Sequence, residues 1–197
     1  MANLRANKIT STEVFETTGS VQFDGNGDYL SLADSNDWNY STGDFTIEFW
    51  YYFNSLPDSD GQFFYSQRVD GANYNFIFAT NTKWEFDSYE SSSQGPKLTF
   101  TTTHNLSTWN HLAVTRSGNT FRLFVNGVES ATQTNSDNLP DLSAVLEIGR
   151  WSGGDYYVTG HISNLRVIKG TALYTSNFTP PTRELQPIGD TDRKSVV

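Results

Sequence analysis

Residues 44–53 read DFTIEFWYYF, and that rhythm leaves little choice of backbone. On an extended chain Phe45, Ile47 and Phe49 fall on one side, and Thr46, Glu48 and Trp50 on the other. The stretch NTFRLFVNGVESAT repeats the period: Phe121, Leu123 and Val125 alternate and run into Asn126-Gly127, the dipeptide that favours a tight hairpin turn. With WNHLAVTRSG before it, this forms the clearest hairpin in the chain. SVQFDG, DYLSLA, GQFFYSQR, YNFIFAT, TKWEFDSY, KLTFTTT, AVLEIGR and GHISNLRVIKG are further strand-like runs, parted by turn-rich DGAN, TNT and SSSQGP. In GHISNLRVIKG the apolar rhythm shifts between Ile162 and Leu165, as it does at a bulge. No amphipathic helix stands out, although KGTALYTSNF could hold one helical turn. About a dozen short strands with hairpin turns predict an all-β chain, a two-sheet antiparallel sandwich of jelly-roll type.

The run SVQFDGNGDYLSL sets Asp24, Asn26 and Asp28 at alternate positions, which is how a calcium-binding loop opens. The complete loop needs Gly at its sixth position and Glu at its twelfth; here those are Tyr29 and Ser35. GNG instead reads as the turn of a hairpin joining Val21–Phe23 to Leu30–Leu32. What remains for a metal is narrow: Asp24 or Asp28 could give one oxygen to a calcium ion built from distant loops.

The totals close off whole classes of function. A formal net charge of −9 gives the chain no electrostatic reason to seek nucleic acid or an anionic membrane surface. There is no cysteine, so disulfides and thiolate metal sites are excluded. The first twenty residues hold no apolar run of the kind a secretory signal peptide needs, and no stretch is long and apolar enough to span a membrane as a helix. The chain divides into an N-terminal arm (1–18), one sandwich domain (19–179) and a C-terminal tail (180–197) that carries Pro180-Pro181 and reads as extended. Both arms are expected to pack on the domain or on neighbouring chains.

SVQFDGNGDYLSL, GDFTIEFWYYF, WNHLAVTRSGNTFRLFVNGVE, LEIGR and GHISNLRVIKGTALYTSNFTPP, in that order, resemble the laminin G-like, concanavalin A-like lectin/glucanase domains over roughly residues 20–180. The ending ISNLRVIKGTALYTSNFTPPT and the opening MANLRANKI are similar to the versions found in tailed-phage virion proteins. The resemblance implies a concanavalin A-like jelly roll and a virion location. The implied role is that of a non-enzymatic structural protein, a capsid decoration, head fibre or tail fibre subunit. Its partners would be other virion proteins met through the terminal arms and, for host adhesion, surface glycans, with the subunit in an oligomer or a lattice.

Two alternatives carry chemistry of their own. WEFDSYES contains Glu85-x-Asp87-x-x-Glu90, which resembles the catalytic strand of laminarinase-type glycoside hydrolases. Retention there needs two carboxylates about 5–5.5 Å apart on one face. Strict alternation takes Glu90 off the face of Glu85 and Asp87 unless a bulge intervenes, and SSSQG follows at once, so no catalytic residue is assigned. His111, in WNHLAVTR, reads as structural, and neither a nucleophile elbow nor a phosphate-binding glycine loop occurs. The other alternative is a carbohydrate-binding module. Sugar sites set aromatic faces against pyranose rings and polar groups against hydroxyls. GRWSGGDYYVTG offers Trp151, Asp155 and Tyr156 on a glycine-rich connection, and Trp84 is a further candidate.

Overall fold

A computed structural model of the chain describes residues 19–91, 93–185 and 194–195. The first strands are β1 (Val21–Asp24), β2 (Leu30–Leu32), β3 (Phe45–Phe53), β4 (Gln62–Asp70), β5 (Asn73–Thr80), β6 (Lys83–Glu90) and β7 (Ser93–Thr101). They are followed by β8 (Trp109–Ser117), β9 (Thr120–Val125), β10 (Val128–Thr134), β11 (Leu146–Ile148), β12 (Arg150–Trp151), β13 (Tyr156–Tyr157), β14 (Thr159–Lys169) and β15 (Lys194–Ser195). One sheet has the order β1-β14-β3-β8-β9-β10, with β15 also on β14; the second is β2-β11-β4-β5-β6-β7; β12 and β13 form a short hairpin of their own. Every pairing between these strands is antiparallel, which gives the expected two-sheet sandwich.

The alternation read in the sequence is what builds the core. Phe45, Ile47, Phe49, Tyr51 and Phe53 of β3 point inward, against Phe64, Tyr65, Ile77, Trp84 and Phe86 of the facing sheet. Phe49 stacks on Phe64 at 5.3 Å, and Trp84 meets Phe64 at 4.9 Å and Tyr51 at 4.8 Å. The register of β4 on β5 shifts between Phe63 and Tyr65, so neighbouring Phe64 and Tyr65 both reach the core while Phe63 points away. The bulge anticipated after Ile162 is present: the register of β14 on β3 shifts between Ser163 and Arg166, and Asn164 has φ 51°. Asn126 (φ 50°) and Gly127 (φ 77°) both adopt the left-handed conformation and close the β9–β10 hairpin.

Three expectations are corrected. DGNGD does not close a hairpin: β1 pairs with β14 in one sheet and β2 with β11 in the other, so the turn carries the chain across the sandwich. Turn chemistry reports a reversal but not the partner, because strand pairing here is long-range. SSSQGP is mostly strand, since β7 begins at Ser93. KGTALYTSNF holds no helical turn; the one helical element among the described residues is a single 3-10 turn, Asn36–Trp38, capped by Ser35, whose Oγ accepts from the Asp37 N–H.

The segment 171–181 instead lies as a strap over the outer face of the β3/β8/β14 sheet. Thr46 Oγ1 donates to the Thr171 carbonyl (3.0 Å), Thr115 Oγ1 to the Tyr174 carbonyl (2.9 Å), and Trp50 Nε1 to the Pro181 carbonyl (3.2 Å). Tyr174 and Phe178 stack face to face, and Phe178 packs on Phe124. Of the C-terminal tail, Leu185 is buried and its N–H donates to Asn164 Oδ1, and β15 extends the β14 edge. The N-terminal arm, 1–18, falls outside the described residues.

Candidate functional site

Beneath the strap the polar side chains of β3, β8 and β14 are consumed by one another. Glu48 has no exposed surface; Arg166 Nε donates to its Oε1 (2.9 Å), while His111 Nε2 (3.1 Å) and the Tyr174 hydroxyl (2.9 Å) meet its Oε2. Burial alone would raise the Glu48 carboxyl, but His111 and Arg166 outweigh it and hold the group below its ordinary value. His111 is therefore structural in the sense expected, with Phe178 edge-on to its ring at 5.7 Å.

No strap covers the outer face of the opposite sheet among the described residues, although Phe63, Phe76, Glu85 and Asp87 are largely buried by their neighbours on it. Phe63, Ser66 and Arg68 of β4 lie beside Phe78, Phe76 and Tyr74 of β5, and those beside Glu85, Asp87 and Tyr89 of β6. The rings form a tier: Phe63 on Phe78 (4.8 Å), Tyr74 on Phe76 (4.2 Å) and Tyr74 on Tyr89 (5.5 Å) are all stacked. The β12–β13 hairpin folds over one end. There Trp151 lies 5.9 Å from Phe63, nearly parallel to it, and 5.0 Å from Tyr156. Together these residues line a groove of about 360 Å³ bounded by Phe63, Tyr74, Phe76, Phe78, Trp151 and Tyr156, with Asp60, Arg68 and Asp87 as its charged members. Gly153 makes the close fit of the hairpin feasible, because a Cβ there would sit 2.7 Å from the Trp151 ring and 2.9 Å from Arg68 Cζ.

Glu85 and Asp87 of WEFDSYES lie along this face. Glu85 is bound by Lys83 (2.6 Å), Lys97 (3.3 Å) and Thr99 Oγ1 (3.0 Å). Burial works to raise its carboxyl, but the bonds from Lys83 and Thr99 prevail and hold it below the ordinary value. Asp87 is bound by Lys97 (3.1 Å) and Gln94 Nε2 (2.7 Å). Burial and then Asp87 push the Tyr74 phenol up to about 12, so it stays a neutral donor. The β6–β7 register shifts between Asp87 and Tyr89, and Glu90 is exposed at the strand end.

The structure therefore brings together Trp151 and Tyr156, keeps Asp155 next to Tyr156 and takes Trp84 away from them. Trp84 has no exposed surface; its inward rhythm with Phe86 puts it in the core, where its Nε1 donates to Tyr51 Oη. Asp155 lines an adjoining depression with Asp58, Gln62 and Tyr156, the last of which also lines the groove. Asp24 and Asp28 serve the turn itself: Asp24 Oδ1 accepts the Asn26 N–H (2.7 Å), and Asp28 Oδ2 the Asp24 N–H (3.3 Å). Among the described residues no three His, Cys, Asp or Glu side chains gather in a way that could hold a metal ion. Sequence reasoning missed Phe63, Tyr74, Phe76, Phe78 and Arg68. The available signal was that YNFIFAT is aromatic or apolar on both faces, more than one core can use.

Among the curated proteins none matches the sequence. Solved structures are similar in fold. The CBM40 module of Ruminococcus gnavus IT-sialidase bound to α2,3 sialyllactose superposes with a TM-score of 0.63 at 16% identity, over 79% of this chain and 91% of that one. Domain 4 of an extracellular arabinanase from Geobacillus stearothermophilus, in complex with arabinotriose, gives 0.60 at 19% identity, over 80% and 74%. Mouse laminin α1 chain domains LG4-5 give 0.61 at 14% identity over 82% of this chain, which spans about half, 47%, of that fragment. The model of the Concanavalin A-like lectin/glucanases superfamily matches residues 24–173, and the chain belongs to that family.

Proposed function

We propose that this domain binds carbohydrate without hydrolysing it, in the groove between Trp151, Phe63 and Phe76. The observation that carries the reading is the aromatic lining of a groove on the outer side of a sheet, where Tyr74, Phe78, Trp151 and Tyr156 stay partly exposed, with Asp60, Arg68 and Asp87 placed among them to meet hydroxyls. Two of the similar folds are bound to oligosaccharides, which supports the same reading. Against hydrolysis stands the state of Glu85 and Asp87. Both are held by lysines, and Glu85, its carboxyl kept below the ordinary value, is a poor general acid. In an oligosaccharide array followed by calorimetry, the wild type binds at least one glycan, and Trp151→Ala weakens it by at least about tenfold while the fold persists. Cleavage of β-glucans that vanishes in Glu85→Gln would overturn the non-enzymatic part.

We further infer that the domain works on a tailed-phage virion, as a decoration or fibre subunit made in the host cytoplasm and adhering to host-surface glycans. The ending ISNLRVIKGTALYTSNFTPPT, similar to those of virion proteins, favours this setting. Its packing as a strap on the domain fits a subunit that presents the opposite face outward. Proteomics and imaging of purified particles test it: a chain absent from particles removes the virion setting and leaves the binding reading intact.

A further inference from the structure

Arg68 stands out on the uncovered face because its charge has no carboxylate to meet. The other cations there are engaged: Lys83 with Glu85, Lys97 with Glu85 and Asp87, and Arg150 with Glu147 at 2.6 Å. No carboxylate lies within ion-pair distance of Arg68 among the described residues, although the chain carries 22 acidic residues against 13 basic ones. Asp70, two residues on, feels the Arg68 charge only weakly; its carboxyl is held low first by the Ala72 N–H and the Asn73 side chain. What Arg68 does have is Trp151, with the guanidinium carbon 5.0 Å from the ring centroid. Its Nε is buried and finds no hydrogen-bond partner among the described residues.

A guanidinium stacked on a ring is fixed in its plane, and its N–H edges stay directed at whatever enters beside it. That edge matches a carboxylate in two parallel bonds, stronger and more directional than bonds to a hydroxyl. The groove's own acids do not supply this partner. Asp87 is already neutralised by Lys97, and Asp60 lies on the loop ahead of β4, where it can accept from sugar hydroxyls. Resting on the saccharide reading above, we propose that the groove selects acidic saccharides, those bearing a uronate or sialate carboxylate, and that Arg68 receives this carboxylate. The sugar ring then lies against the partly exposed Trp151 and Tyr156, with its hydroxyls turned to Asp60.

The test uses oligosaccharides containing galacturonate, glucuronate or sialate, each paired with its carboxyl-reduced counterpart, and calorimetry on the full chain. The wild type is expected to bind at least one acidic form about tenfold or more tighter than its reduced partner, with the preference shrinking at high salt. Arg68→Gln equalises the pair while thermal unfolding stays unchanged. Arg68→Lys keeps part of the preference. Asp60→Asn tightens the acidic form. Equal binding of acidic and reduced forms by the wild type, or a preference that survives in Arg68→Gln, overturns this inference and leaves the saccharide reading in place. No binding to any member of either set overturns both.

Discussion

The two outer faces of the sandwich start from similar strands and end in opposite states. Each carries an acid pointing away from the core, Glu48 on β3 and Glu85 on β6, and each surrounds it with aromatic rings. Over Glu48 the segment 171–181 closes down, and three donors fill the carboxylate. Over Glu85 nothing among the described residues closes, and the compensating lysines keep about a third of their surface, 35% and 39%, in water. The covered face is stabilised by its polar groups; the uncovered face pairs its acids with lysines and leaves Arg68 without a carboxylate among the described residues. A single chain thus uses one architecture twice, and covering decides which use applies.

The largest expected effect lies in the buried acid. Glu48→Ala strands Arg166 and His111 beneath the strap, and breaking a buried ion cluster in this way costs about 3–5 kcal/mol. Glu85→Ala frees two lysines that solvent can take up, and partly exposed pairs are worth about 1 kcal/mol or less. Urea midpoints for the two variants measure the contrast directly. Equal losses would mean that the strap does not seal its face.

Glycine gives a smaller and cleaner contrast. Gly127 has φ 77°, and a Cβ there would run into the Phe178 carbonyl oxygen of the strap. Gly127→Ala therefore combines backbone strain with a displaced strap and is expected to cost about 1–3 kcal/mol, with the groove intact. At Gly153 the added Cβ meets the Trp151 ring and the end of Arg68, groups that can shift at the surface. Gly153→Ala is expected to change stability by less than about 0.5 kcal/mol and yet weaken saccharide binding several-fold. Loss of stability in the second variant, or loss of binding in the first, would blur the division between the faces.

These contrasts also explain what could be read in advance. The alternation of β3, the Asn126-Gly127 turn and the rhythm shift after Ile162 are local signals, and each appears where expected. The partners of β1 and β2 are non-local, and DGNGD carries no information about them. At the site, Trp151 and Tyr156 were legible because a glycine-rich connection has no core to serve. Trp84 was misplaced although it alternates with Glu85 and Asp87; read strictly, that alternation already turns it inward. The aromatic tier of β4 and β5 stayed hidden because an apolar residue on a strand with two apolar faces does not declare which face is wet.

The smallest effect belongs to neither face but to the seam that ends the core. His104 packs edge-on against Phe53 at 5.2 Å and Trp84 at 6.0 Å, with its Nε2 2.7 Å from the Thr80 carbonyl. Burial lowers its pKa from the ordinary 6.5, and the bond to Thr80 only partly opposes this. The folded state thus prefers the neutral ring, while the unfolded chain takes up a proton near pH 6.5. Stability from this site is complete above that pH and declines as the pH falls from there through the lowered folded value. Glu48 and Glu85, also lowered, add their own losses only below their ordinary 4.5, so acid should weaken the fold in two separated stages. Melting temperatures across pH 2 to 8 read both stages. His104→Gln should flatten the upper stage and leave the lower one. An upper stage that survives this substitution would place the titrating group elsewhere, and one that moves with Glu48→Ala would tie it to the covered face after all.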